Sequence, residues 1–536
     1  MHQDREDAAA AALTELAELI AGAAPRGWKR AELHGYAHGE GASGHRGFRF
    51  LPDDLNVYGA NDVDIHPNLC ALHTLLGATE HLTIDLELEA RGRFRAILSE
   101  RLDRTDDRGF RYLLDPQSEP PSLDPPAPTV GEAGDPEEAV ALLNEYHRLL
   151  HAVLELPDLP PPLEDWDLDF ALPSDLSALY AVADGGGGQV QFHGFAWFGL
   201  EMLTDLDHWW VTRGWRRFVH NSFVTEFGPP GAIRRMADHP GWIPFATDTS
   251  GDYLAVDMAP GPNGRPGQVI LIGRHQDEGP IYVAESVTEL IRSHADALRS
   301  DRIERDEDGQ LWINSGDAHH YQRRYDEVGR LTVSGRDAGP VRGLTAETRE
   351  LVVHDAPWVD LGPVRDAPAL VKFSIHNCAG LDLSPLQETS VEVLSLTTDT
   401  IDLSGLHGHP TVGRVVLRSA KPVDLRPLAS CPNLHTLDLS DAPAADVSAL
   451  GQLTNLRYLR MLRPQWQEFL AAQPLPASLA VAELAQEPLK ERKFYWSFDK
   501  AYEKTRRPTL ADALEWAETL TGRTTDILTI KGKFKP

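Results

Sequence analysis

Residues 412–439 read VGRVVLRSAKPVDLRPLASCPNLHTLDL, and this stretch decides the fold of the C-terminal half. Two apolar patterns of the form LxxLxL, VGRVVL (412–417) and LHTLDL (434–439), start 22 residues apart with VDLRPL between them. The pattern extends both ways, through TRELVV (348–353), LVKFSI (370–375), VEVLSL (391–396) and LRYLRM (456–461). Successive starts are 22, 21, 21, 22 and 22 residues apart, and LPASLAVAEL (475–484) reads as a degenerate further copy. Each strand pattern is followed by a second apolar element: VDLGPV, LDLSPL, IDLSGL, VDLRPL or ADVSAL. A period this regular predicts stacked coils, one strand per coil, sharing a continuous core: a solenoid over 343–484. The aspartates at 360, 382, 402, 424 and 446 recur with the period. A column of carboxylates suggests a metal stripe, but an Asp opening a turn more simply accepts backbone N–H groups.

These copies resemble the 22-residue leucine-rich repeats of bacterial surface and adaptor proteins, over about a quarter of the chain. In such a solenoid the residues between the leucines face outward on concave strands. A mixture of basic, polar and aromatic side chains there suits protein binding, and the candidates are Lys372, His376, Arg414, Arg418, Tyr458 and Arg460.

A second stretch raises the question of a nucleotide site: ALYAVADGGGGQVQFHGFAWFGLEML, residues 178–203. A phosphate loop needs glycines between a strand and a helix N-terminus, usually with a Lys following. Here the order is reversed, with the helical pattern LPSDLSALYAVAD before the glycines and a strand pattern after them, and no Lys follows. The run therefore reads as a helix stop that admits left-handed backbone.

The order of elements around it resembles the SUKH superfamily, which groups cell-wall-synthesis regulators with bacterial immunity proteins. The marks are Leu172-Pro173, Gly185-Gly186, Trp242, Pro244, Asp248, Gly251-Asp252, Asp257 and Gly267-Gln268-Val269, then a closing helix after Ala284-Glu285-Ser286. The likeness covers roughly 137–300. It implies an α+β protein-binding domain without catalysis. For the bacterial type it implies neutralisation of a toxin, often a nuclease, by covering its active site; the alternative is a regulatory scaffold that holds several partners.

The remaining chain divides around these two units, giving a multidomain α+β protein. Residues 1–115 predict a small α+β domain, for which one reading is a second immunity-like module, and in it Leu82, Ile84, Leu86 and Leu88 alternate with Thr83, Asp85, Glu87 and Glu89 like a strand with one wet face. Residues 116–136 are Pro-rich and read as a stiff linker. Residues 301–342 predict a β-rich connector of two hairpins, and 485–536 a cap and tail closing the open end of the solenoid.

Charge narrows the partner. The net charge is −30, and of this −13 falls in residues 1–150 (27 acidic, 14 basic) and −12 in 151–300 (21 acidic, 9 basic). Between Arg148 and Arg213 no Lys or Arg occurs, against 11 acidic residues. Such a surface repels nucleic acid and attracts a basic protein. Asp165, Asp167, Asp184, Glu201, Asp205 and Asp207 are the candidate face. No apolar run approaches the ~20 residues of a membrane span, the acidic N-terminus is unlike a signal peptide, and three distant cysteines make no framework. The expectation is a cytoplasmic chain with no cofactor, no metal, no catalytic set and no membrane or nucleic-acid partner.

Overall fold

The computed structural model describes residues 2–37, 43–51, 55–56, 63–78, 82–105, 109–115, 118, 130–163, 168, 170–188, 191–205, 224–236, 239–273, 275–276, 278–305, 311–334, 339–378, 381–488, 505–506, 508–522 and 527–535. The chain opens with α1 (His2–Gly22), β1 (Arg30–Ala37), β2 (Ser43–Leu51), β3 (Leu55–Asn56), α2 (His66–Leu76), β4 (Leu82–Glu89) and β5 (Arg93–Ser99). Leu13, Leu16 and Ile20 of α1 and Leu69 and Leu72 of α2 pack on Leu33, Ile84, Leu86 and Leu88, the apolar positions that alternate along β1 and β4. β6 (Leu102–Arg104) and β7 (Phe110–Leu113) then leave this unit for another sheet.

The second unit holds α3 (Pro136–His151), α4 (Ser174–Tyr180), β8 (Gln191–Phe192), β9 (Phe195–Trp197), α5 (Leu200–Asp205), β10 (Trp242–Thr247), β11 (Asp252–Asp257), β12 (Gln268–Gly273), β13 (Ile281–Ala284) and α6 (Val287–Arg299). Its strands form one antiparallel meander in the order β13-β12-β11-β10-β9-β8. Pro244 sits inside β10 beside a register shift between Pro244 and Ala246, which relieves the ladder of an N–H that Pro lacks. Helices α3 and α6 begin where acceptors cap them, Asp135 Oδ1 taking the Glu138 N–H (3.0 Å) and Ser286 Oγ that of Glu289 (3.1 Å). Leu143, Tyr146, Leu176, Tyr180, Trp197, Phe245 and Ile291 share the core.

A hairpin of β14 (Ile303–Arg305) and β15 (Leu311–Ile313) and a short α7 (His320–Arg324) follow. The second hairpin expected in 301–342 is absent among the described residues. Instead β16 (Arg330–Ser334) pairs in parallel with β18 (Glu350–His354), so the repeating array starts about one coil before residue 343. Leu331 and Val333 already alternate as later coils do; the glycines and charges around them hid the copy. β17 (Gly339–Pro340) and β19 (Val359–Asp360) make a parallel pair of their own. The array continues as β20 (Lys372–His376), β21 (Val393–Thr397), β22 (Arg414–Arg418), β23 (Thr436–Asp441), β24 (Tyr458–Met461), α8 (Arg463–Ala472) and β25 (Val481–Leu484), and neighbouring strands from β16 to β25 are parallel. Leu351, Phe373, Leu394, Val415, Leu437 and Leu459 stack along one core. The periodic aspartates are turn caps: Oδ1 of Asp360, Asp382, Asp402, Asp424 and Asp446 accepts the N–H two residues on, at 2.8 to 3.0 Å.

The far edge of the array is closed differently from expectation. β7 pairs antiparallel with β25, and β6 with β7, completing a ten-stranded sheet. After β26 (Glu487–Pro488) and β27 (Thr505–Arg506) comes α9 (Leu510–Thr521), whose Trp516 packs against Trp466 of α8, ring centroids 5.9 Å apart. β28 (Ile527–Lys533) then adds to β5, making the N-terminal sheet β28-β5-β4-β1-β2-β3. Strands β6 and β7 thus belong to the array, and β28 belongs to the N-terminal unit. Neither exchange leaves a signal in local periodicity, because strand partners hundreds of residues apart share no spacing.

Candidate interaction surfaces

On the middle unit, the glycine run is built as a close approach. Gly185 has φ +75°, and a Cβ there would stand 2.7 Å from Gly199 N and Phe198 C. Gly186 donates its N–H to Trp197 O at 3.0 Å. The contact seats Asp184 at the start of α5, where Oδ1 accepts the Leu200 N–H at 2.8 Å. Asp184 is therefore half-buried and engaged in structure, unlike the free acidic contact expected of it. Glu201 beside it is exposed. Asp205 ends α5, its side chain outside the described residues, as are Asp165, Asp167 and Asp207 entirely.

The other motif residues hold loops and strands together. Asp248 Oδ1 accepts the N–H groups of Ser250 (2.8 Å) and Asp252 (3.0 Å) around Gly251. Asp252 in turn accepts from His275 N (2.8 Å) and Gln276 Nε2 (3.0 Å). Asp257 is fully buried beside Trp242 and accepts from Gln268 Nε2 (2.8 Å) and Ala259 N (2.9 Å). Burial pushes its carboxyl up to about 7, more than these hydrogen bonds offset. Gly267, at φ +88°, passes so close to Pro173 that a Cβ would lie 3.1 Å from that ring's Cβ. A buried carboxylate that sequence reading passed over, Asp175, accepts from Thr288 N (2.9 Å) and Oγ1 (3.0 Å) and ties α4 to α6.

The outer strand face of the array is polar, and most of its charges are paired. Glu350, buried, receives Arg330 Nε (2.7 Å), Lys372 Nζ (2.7 Å) and the Tyr325 hydroxyl (3.1 Å). Burial opposes ionisation there, yet Lys372 and Arg330 hold Glu350 below its ordinary pKa. Arg460 bridges Asp438 (3.0 Å) and Glu483 (2.9 Å), and Glu483 also receives Arg111 Nε (2.9 Å) and the Tyr458 hydroxyl. Of the six side chains expected to greet a partner, Lys372, Tyr458 and Arg460 are thus committed to internal pairs. His376 stacks on His354 (centroids 5.1 Å, 12° between planes), and burial, that neighbour and Arg418 lower it to about 4, so it is neutral near pH 7. Arg414 and Arg418 differ. Arg418 Nε is 3.7 Å from Asp441, beyond hydrogen-bonding reach, and Arg414 makes no ion pair or hydrogen bond among the described residues.

The middle unit docks on the array through charges that sequence alone did not mark. Arg235 reaches Glu392 at 2.6 Å, Arg349 pairs with Glu226, and Arg330 reaches Glu278 at 3.1 Å. The Tyr325 and Phe227 rings meet edge to face at 5.3 Å beneath them. Among the described residues no cluster of His, Cys, Asp and Glu has the arrangement of a metal site, and no helix is long and apolar enough to cross a membrane.

Comparison with known proteins identifies the middle unit. Residues 165–293 match the SMI1 / KNR4 family (SUKH-1), and the chain carries a domain of that family. The cell wall assembly regulator SMI1 of Saccharomyces cerevisiae is 28% identical over 174 residues, 25% of this chain and 33% of the relative. The cell wall biosynthesis/cell cycle regulator smi1 of Schizosaccharomyces pombe is 35% identical over 127 residues, 21% of this chain and 25% of the relative. The glucan synthesis regulatory protein of Neurospora crassa is 38% identical over 117 residues, 22% of this chain and 21% of the relative. The chain thus spans a third or less of the length of these relatives, all fungal. Among solved structures, internalin C2 of Listeria monocytogenes aligns at TM-score 0.22 and 18% identity over 32% of this chain and 73% of that one, a likeness too small to bear on the fold.

Proposed function

We propose that this chain is a non-enzymatic regulatory scaffold, binding partner proteins through its SMI1/KNR4 domain and through a leucine-rich repeat solenoid formed by the parallel array. The observation that carries the reading is the family match over 165–293, whose relatives are named as regulators of cell wall assembly and glucan synthesis. These names favour the regulator over the toxin inhibitor that the bacterial members suggest. Support also comes from the docking of the two units. Arg235–Glu392, Arg349–Glu226 and Arg330–Glu278 fix them at one angle, which suits a protein that presents two surfaces in a set relation. For the SMI1/KNR4 domain we propose a basic partner, on the excess of acidic over basic side chains in 151–300 (21 against 9).

The test is a pull-down with the full chain, washed at low and at high salt, followed by titration of each captured protein. A scaffold holds more than one partner at once, each at about micromolar affinity; a single partner held at about nanomolar affinity or tighter would replace the reading with that of an inhibitor.

A further inference from the structure

We infer that the outer face of β21 and β22 is a docking site for an extended acidic segment of a partner protein, whose carboxylates, four residues apart, meet Arg414 and Arg418. The inference rests on the scaffold reading and names the chemistry of one of its partners. Three observations carry it. First, among the described residues the cations of this face are least tightly paired here. Lys372 and Arg330 share Glu350, and Arg460 and Arg111 share Glu483 with Asp438 beside them. Arg414 has no carboxylate within pairing distance among the described residues, and Arg418 has only Asp441 at 3.7 Å.

Second, buried polar atoms without a hydrogen bond among the described residues lie at the same place. Thr397 Oγ1 and Arg418 Nε are buried without a hydrogen bond among the described residues. Thr397 and Arg418 are also cross-strand neighbours, as are Val393 and Arg414, with Ser395 between. A buried polar atom left unpaired costs free energy that a ligand oxygen or N–H recovers. A guanidinium fork flanked by hydroxyls is the donor set that carboxylates fit.

Third, the spacing selects the ligand. Arg414 and Arg418 lie on the same face of one strand, four residues apart, or roughly 13 Å at the rise of a β-strand. An extended peptide repeats its own side chains at the same interval, so acids at i and i+4 oppose both cations together. The net charge of −30 does not forbid an acidic ligand. At physiological salt, charges beyond about 8 Å are screened, so the acidic surface far from this strand adds little to the field at each guanidinium.

The experiment uses the full chain and a labelled nine-residue peptide, rich in Thr and Val, with Asp at its third and seventh positions, read by fluorescence anisotropy. The inference expects saturable binding, weakened about tenfold or more by Arg414→Gln or Arg418→Gln, with the melting temperature of each variant unchanged. It also expects equal weakening, with no variant needed, when the second Asp moves one residue to the opposite face of the peptide. Absence of binding to the unmodified chain would overturn it, and so would indifference to Asp spacing or to Arg414→Gln. Displacement of the peptide by millimolar inorganic phosphate, together with indifference to spacing, would reassign the site to a small anion and overturn it equally. The pull-down that tests the scaffold reading does not depend on this peptide, so the two can fail separately.

Discussion

Arg111 and Glu483 lie 372 residues apart in sequence and form a buried ion pair, Nε to Oε2, at 2.9 Å. It joins β25 to β7, the strand that leaves the N-terminal unit to complete the ten-stranded sheet. On one side it continues through Asp103 to His34 and Asp85, and on the other through Arg460 to Asp438. Glu483→Gln should take a carboxylate from the buried guanidinium of Arg111 and the half-buried one of Arg460 and cost about 3–5 kcal/mol. Urea titration checks this; a loss under ~1 kcal/mol would mean water reaches the pair. The double variant Arg111→Met with Glu483→Met should lose less than the sum of the single changes, since both charges then leave together.

That pair also shows where sequence reading stops. The array was legible because leucines recur every 21 or 22 residues, and a period is a local property of the chain. The SMI1/KNR4 domain was legible through Pro173, Gly185, Trp242 and Asp257, whose side chains or lack of them are dictated by close contacts nearby. Asp85 misled, because its alternation with leucines reads as a wet face. It is buried instead, held by Arg104 Nε at 2.9 Å and His34 Nδ1 at 3.2 Å, with the β6–β7 hairpin and α9 beyond. Alternation reports that two faces differ in polarity, and a polar face can be an internal ionic interface as well as a surface. The concave candidates erred in the same way: the pattern placed Lys372, Tyr458 and Arg460 on the right face but was blind to their partners in neighbouring coils.

Asp257 should make the SMI1/KNR4 domain less stable as pH rises from about 4 to about 7. Its folded pKa is raised to about 7 from an ordinary 3.8, so over this window the folded state holds a proton that the unfolded state has released. The contribution is fully present below the unfolded pKa and is lost as pH rises through the folded one. Asp85, Glu350 and Asp438 are held below their ordinary values, so their loss comes at lower pH. His193 and His294 of the same domain are lowered by burial to about 4 and about 3, so they add stability as pH rises toward 6.5, and Asp257 offsets part of that rise. Asp257→Asn should therefore make the rise in stability between about pH 4.5 and 6.5 steeper in chemical denaturation; an unchanged slope would show that Asp257 does not titrate there.

Gly185→Ala should destabilise the domain by about 1–3 kcal/mol. The φ of +75° disfavours any Cβ, and this one would meet backbone of Gly199 and Phe198 at 2.7 Å with no side chain able to give way. Gly188→Ala is the control, because its φ is similar at +76° and nothing stands within 4 Å. It should cost only the backbone term, about 1 kcal/mol. Thermal melts that showed equal losses would remove the close approach as the reason for the glycine.

Leu394 and Thr397 lie on the same strand with side chains on opposite faces, and their substitutions should act in opposite directions. Leu394 is wholly buried in the stacked core, so Leu394→Ala removes apolar area and leaves a cavity between coils, costing about 2–5 kcal/mol. The coils share one core, so the loss should lower the melting of the whole array rather than of one repeat. Thr397 carries a buried hydroxyl without a hydrogen bond among the described residues. Thr397→Val replaces it with a methyl of the same shape, and stability should hold or rise by up to about 1 kcal/mol. A loss beyond ~1 kcal/mol would mean the hydroxyl is satisfied by water, and would remove one of the unpaired atoms from the acidic-segment site beside Arg418.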